Sequence, residues 1–286
     1  MSRPRAQGAA LVLVLWLTML LAALIVAFTL TAGVESMQGK LLSKGAAAQE
    51  IARAGVEYAL LRVGQSDPAT QWLPDGRLYR WQYAGSVVGI SIVDETGKVD
   101  LNLAEAPLLS ALVRAVGGDP ATADRVAAAI LDWRDNDPLT QPAGGAEDPD
   151  YAAAGLPYGA KDAPFESVAE VEQVLGMTPE LYARLEPSLT LFSGRPTPDP
   201  SYAQAAVLTA LGLDPSEYEA RRRGPVTALA GQALVGGGTG TYSIQSHVRT
   251  AEGREATLRT VVRAGGGPVP GSVYTTLRWE EAAAPR

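Results

Sequence analysis

The longest feature of the hydropathy pattern is an unbroken apolar run from Ala9 to Ala32, with no charge and only Thr18, Thr29 and Thr31 as polar side chains. At about 20 residues per bilayer crossing, the run predicts one transmembrane helix. It is longer than the roughly 7 to 15 apolar residues of an ordinary secretory signal, whose cleavage near Gly33 is the alternative. From Ser36 to Arg62 there is no proline, and Leu41, Ala48, Ile51, Gly55 and Tyr58 recur at helical spacing. The helix is therefore expected to continue beyond the membrane to Arg62, a rod roughly 80 Å long at 1.5 Å per residue. A sheet is expected to cover its outer half, and the face carrying Leu41, Ala48, Ile51 and Gly55 is also expected to meet neighbouring subunits.

After a turn-rich stretch, the period changes from helical to alternating. Leu78 to Tyr83 and Val87 to Val93 read as a hairpin turning at Gly85-Ser86, and comparable runs return only at Thr241 to Arg249, Glu255 to Arg263 and Ser272 to Glu280. Two groups of strands separated in this way imply one antiparallel sheet interrupted by an insert. The insert, about 102–236, reads almost entirely helical. Pro107 to Val116 and Ala121 to Trp133 are rich in alanine and leucine, Ser167-Val168-Ala169-Glu170 is a capping box opening a helix that Gly176 closes, and Thr178-Pro179 starts the next. The expected fold class is α+β: a long N-terminal helix on an antiparallel sheet, with a large all-α domain inserted between strands. The divisions are 1–8, 9–32, 33–101, 102–236 and 237–286.

Composition narrows the function classes. With 24 Lys+Arg against 31 Asp+Glu, the net charge of −7 argues against a nucleic-acid surface, and the absence of cysteine excludes disulfides and thiolate chemistry. The one histidine, His247, excludes a histidine-based zinc site or triad, and no Gly-x-Ser-x-Gly elbow occurs. The glycine-rich Gly236 to Gly240 lacks the following Lys-Ser/Thr of a phosphate loop and reads as a flexible joint. Arg221-Arg222-Arg223 reads as a solvated helix end.

The eight residues ahead of the apolar run carry Arg3 and Arg5 and end at Gly8, while the first basic residue beyond the run is Lys40. The positive-inside rule leaves residues 1–8 in the cytoplasm and the body outside. A basic leader ending in Gly8 and followed at once by Ala9-Ala10-Leu11-Val12 resembles the class III signal of type IV pilins and type II secretion pseudopilins. Most members of that family carry a glutamate at the fifth mature position, where this chain has Leu13. The K-type minor pseudopilins characteristically lack it. The segment Ser167 to Leu191, the run Gly97 to Asn102 and Asp132-Trp133-Arg134-Asp135 are also similar to K-type pseudopilins.

The resemblance implies cleavage after Gly8 by a prepilin peptidase and methylation of Ala9. It implies a pilin-like arrangement of helix and sheet, a single-pass place in the inner membrane with the body periplasmic, and no enzymatic role. It further implies a minor pseudopilin at the tip of the type II secretion pseudopilus, initiating assembly for export across the outer membrane. The implied partners are the I-, J- and H-type minor pseudopilins and the inner-membrane assembly platform. A minor pilin of a type IV pilus or DNA-uptake system is the alternative, and an anchored hydrolase using Asp132 and Glu147 is a further one.

The remaining chemistry is acidic. Asp132, Asp135, Asp137, Glu147, Asp148 and Asp150 fall within one Gly- and Pro-containing stretch with Arg134 as its lone cation. Clustered hard oxygen donors suit Ca²⁺, which takes six to eight at about 2.3 to 2.6 Å. No EF-hand register with its terminal glutamate fits, so the spacing alone favours a solvated acidic loop. Resemblance to the K-type pseudopilins implies that the loop binds calcium.

Overall fold

The computed structural model describes residues 7–67, 69–223, 240–265 and 274–283. Helix α1 (Gln7–Val63) runs 57 residues without interruption, about 86 Å at the standard rise. Among the described residues no helix is long and apolar enough to cross a membrane; of the run 9–32, side chains are described from Leu11 to Ile25, and the large apolar ones there are exposed. Leader residues 1–6, with Arg3 and Arg5, and the joint at 236–239 lie outside the described residues.

The outer part of α1 buries a stripe of small residues, Ala48, Ala52, Val56 and Ala59, with Gly55 at its centre. They sit on a sheet whose inner face presents Val88, Ile90, Ile92, Ile244, Val248, Leu258 and Val262. The helix comes so close that a Cβ on Gly55 would stand 2.3 Å from Ser246 Oγ and 3.1 Å from Val88 Cγ1. This corrects the expected subunit-contact face. Ala48 and Gly55 are spent on the chain's own sheet, Ile51 and Tyr58 flank them half-buried, and the side chain of Leu41 lies outside the described residues. The exposed stripe is instead Ala47, Glu50, Glu57 and Leu61.

Strands β1 (Asp75–Tyr83) and β2 (Ser86–Asp94) form the expected hairpin. Its turn is Ala84-Gly85, one residue earlier than expected, with φ of 48° and 72°, the doubly positive backbone that suits a tight hairpin. Edge strand β1 is fixed to α1 by aromatic rings: Tyr58 stacks on Trp81 at 4.3 Å, Trp81 on Tyr83 at 4.5 Å and Trp72 on Tyr79 at 4.2 Å.

The chain then leaves the sheet. Strand β3 (Val99–Asp100) is followed by α2 (Ala106–Ala115), α3 (Pro120–Arg134), α4 (Asp148–Ala153) and α5 (Pro179–Leu185), and β4 (Leu189–Thr190) returns to pair in parallel with β3. After α6 (Ala205–Ala210) and α7 (Pro215–Arg223) come β5 (Thr241–Arg249), β6 (Glu255–Ala264) and β7 (Tyr274–Ala283), completing a five-stranded antiparallel sheet of order β1-β2-β5-β6-β7. A second hydrophobic cluster, built from Leu109, Leu112, Val126, Ile130, Trp133 and Leu208 among others, fills the segment between β2 and β5.

Two expectations are corrected here. The segment opened by the Ser167 capping box is a 3₁₀ helix, Val168–Gln173, and not an α-helix. Its buried residues Val168 and Val171 and the buried C-cap Val174 repeat every third position, which matches three residues per turn. Arg222 is not solvated: its guanidinium donates to the carbonyls of Ser201 and Ala203 and is half-buried.

Candidate metal centre

Helix α3 opens with Asp119 capping the N–H of Thr122 and Pro120 in the first turn, and its apolar face runs to Trp133. That packing carries Asp132 into the interior at 0% exposure, with Asp135 at the C-cap. The loop doubles back through Gly144, at φ 87°, and Gly145, where a Cβ would lie 1.9 Å from Asp132 Oδ2. Only glycine lets the backbone pass this carboxylate. Glu147 follows as the N-cap of α4, 5% exposed, with its own N–H held at 3.0 Å by Asp150.

The result is a three-carboxylate cluster. One oxygen from each of Asp132, Asp135 and Glu147 lies within 4.8 Å of the others. Asp132 accepts from the Gln141 N–H at 3.2 Å, but Asp135 Oδ1 and Glu147 Oε1 are buried without any hydrogen-bond partner. Burial pushes the Asp132 carboxyl up to about 6, aided by the charges of Asp135 and Asp137. Burial and then the charges of Asp132, Asp135, Asp162 and Asp137 push Glu147 up to about 7. Asp135 is raised by the same causes, burial first and Asp137 second. Arg134 makes no ion pair with the cluster: it donates to the Leu101 carbonyl and, at 2.7 Å, to that of Ala104, and attracts Asp135 only through space.

Of the six carboxylates expected from the sequence, the fold thus brings three together. Asp137 contributes charge while accepting from the Leu139 N–H at 3.0 Å. Asp148 packs against Gly159, and Asp150 is spent in the capping box of α4. Asp162 was not among the expected residues. It lies well along the chain, in irregular structure at φ 52°, and acts on Asp135 and Glu147 only because the fold returns it to them. Nothing in its sequence surroundings marks it beyond being a further acid.

Buried, unpartnered oxygens of like charge are the condition a hard cation resolves. At an effective dielectric of 20, two carboxylates 4.8 Å apart repel by about 3 kcal/mol if both ionise. The donor set is oxygen only, which fits Ca²⁺ and excludes the nitrogen and sulfur preferences of zinc.

Comparison with known proteins agrees with this architecture. Residues 90–194 match the family model described as type II secretion system (T2SS), protein K. A curated relative, type II secretion system protein K of Pectobacterium carotovorum subsp. carotovorum, is 34% identical over 82 residues, which are 29% of this chain and 25% of the relative. The match therefore spans about a quarter of that relative's length. The fold is that of a chain in the crystal structure of the GspK-GspI-GspJ complex from the enterotoxigenic Escherichia coli type 2 secretion system, with a TM-score of 0.54 and 19% identity over 87% of this chain and 98% of that one. The family model and the relative carry the name of the component that the leader and the Ser167 to Leu191 segment resemble, and the solved structure shares the fold.

Proposed function

We infer that this chain is a K-type minor pseudopilin of the type II secretion system, and propose that it caps the tip of the pseudopilus. The observation that carries the reading is the family match over residues 90–194, which begins in β2 and takes in the acidic cluster and β4. In this reading, α1 and the five-stranded sheet form a pilin-like body, divided as 33–101 and 237–286, and the insert 102–236 is the bulk that prevents another subunit from adding above. Residues 1–8 are the leader, removed after Gly8, and 9–32 anchor the mature chain in the inner membrane with the body in the periplasm. Leu13 in place of the usual glutamate suits a subunit with no neighbour above it to neutralise. The role is structural, without catalysis.

Its partners are other minor pseudopilins, such as the I and J components named with K in the complex that contains the similar chain. The side of α1 open to them is Ala47, Glu50, Glu57 and Leu61, with Leu61 59% exposed. Asp132, Asp135 and Glu147 hold Ca²⁺, which neutralises their mutual repulsion and orders the loop between α3 and α4.

Two measurements test the reading. Mass spectrometry of the protein from its native membrane is expected to find a methylated N-terminus at Ala9; an intact Met1 or a start near Gly33 would sink it. The body from Gly45 onward should co-purify with I- and J-type bodies, and Leu61→Arg should abolish that association while leaving the fold intact.

A further inference from the structure

Among the described residues no helix covers the β1 end of the sheet face opposite α1, and the register arranges that face in rows. One row runs Leu78, Ser91, Gln245, Arg259 and Glu280 across the five strands, and the next carries Arg80, Gly89, His247 and Thr257. The insert overhangs the first row, leaving a cleft of about 430 Å³ with Ser91, Gln245 and Arg259 on its floor and Val168, Leu191 and Phe192 on its roof. At the β1 end the face is apolar: Leu78 is 64% exposed and Val87 49%, with Leu78 lying over the bare backbone of Gly89.

The charges here are unevenly matched. Every carboxylate lining the cleft has a cation: Glu95 has Lys98 at 2.7 Å, Glu186 and Glu280 share Arg278 at 3.4 and 2.6 Å, and Glu166 has Lys161 at 3.6 Å. Arg259 on the floor and Arg80 beside Leu78 are both exposed, and no carboxylate pairs with either among the described residues. In a chain of net charge −7, the open sheet face thus offers unpaired positive charge around apolar side chains. Three strand spacings and a two-residue step along the strands separate Arg80 from Arg259, about 16 Å at the backbone; an extended chain spans about 14 Å from i to i+4, and the long arginine side chains take up the rest.

We propose that this face and cleft dock an extended polypeptide segment of a partner protein carrying acidic residues at positions i and i+4 around an aliphatic one. The two carboxylates pair with Arg80 and Arg259, the central aliphatic side chain rests against Leu78 and over Ser91, and Gln245 offers its amide to the segment's backbone. The proposal stands on this geometry and not on the family reading.

The test uses the full chain in nanodiscs and two dye-labelled probes, the capped pentapeptide Glu-Ala-Leu-Ala-Glu and its counterpart with lysine for glutamate, followed by fluorescence anisotropy. The acidic probe should bind about tenfold more tightly, as expected of two exposed ion pairs in place of two repulsions. Half-molar salt should erase the difference, Gln245→Arg should enlarge it and Arg259→Glu should reverse it. Equal binding of both probes overturns the proposal, as does an unchanged preference in Arg259→Glu with a native circular dichroism spectrum. If that variant does not fold, Arg80→Glu at the edge strand decides in the same way: loss of the preference supports the proposal and retention refutes it.

Discussion

Among the described residues, the buried carboxylates of two regions are treated in opposite ways. Where the insert joins the sheet, Glu95 is 1% exposed and accepts from Lys98 at 2.7 Å, from Thr190 Oγ1 and from Ser243 Oγ. Its neighbour Asp100, 2% exposed, accepts from the Asn102 N–H, Ser193 Oγ and the Gly194 N–H at 3.0 to 3.2 Å. These groups tie β2, the returning β4 and β5 into one junction, and their charge is answered inside the protein. In the acidic loop, Asp135 and Glu147 keep buried oxygens that nothing answers. Burial therefore does not distinguish a binding site from a structural clasp; burial without a partner does.

The largest expected effect is at the clasp. Glu95→Ala leaves Lys98 only 11% exposed with no counter-charge and should cost about 3 to 5 kcal/mol in urea unfolding. Adding Lys98→Met should restore a substantial part of that loss, whereas no recovery would mean that the pair is not the clasp. Next comes the loop: saturating Ca²⁺ at a hundredfold excess over its dissociation constant should stabilise the protein by about 2.7 kcal/mol, and Mg²⁺ by much less. Thermal unfolding in EGTA, Ca²⁺ or Mg²⁺ measures this, and Asp135→Asn should remove the response.

A change of the same type should then have opposite signs in the two places. In EGTA, Glu147→Gln removes one of three crowded charges and should stabilise by roughly 1 kcal/mol, while Glu95→Gln destabilises. The pH profile follows from the same cause. The folded values of about 6 for Asp132 and about 7 for Glu147 lie above their ordinary 3.8 and 4.5. Their contribution to metal-free stability is fully present below the ordinary values and is lost as pH rises through about 6 and 7. Unfolding midpoints in EGTA should fall over that window, and Ca²⁺ should flatten the decline. The smallest effect is a control: Thr178, whose hydroxyl accepts the Leu181 N–H at 3.2 Å, should cost about 1 kcal/mol as alanine, with no dependence on Ca²⁺ or pH.

Much of this was legible along the chain because it depends on local periodicity. The uninterrupted helix to Val63, the hairpin, the three C-terminal strands and the caps at Ser167 and Thr178 all announce themselves within a few residues. The acidic stretch was visible too, since carboxylates cluster there in sequence.

What only the tertiary structure decided is which groups meet. Alternation marks two faces of a strand but not which one α1 covers, so the stripe around Gly55 turned inward and Leu61 outward for reasons of close approach to Ser246. The two-residue strands β3 and β4 carry no period and exist because Val99 and Leu189, 90 positions apart, are held together by the junction. Three of the six acids became a cluster, and Asp162 joined their field, because a glycine at 145 lets the loop fold over Asp132. Sequence supplied the charges; only the packed chain could remove their water and leave them without partners.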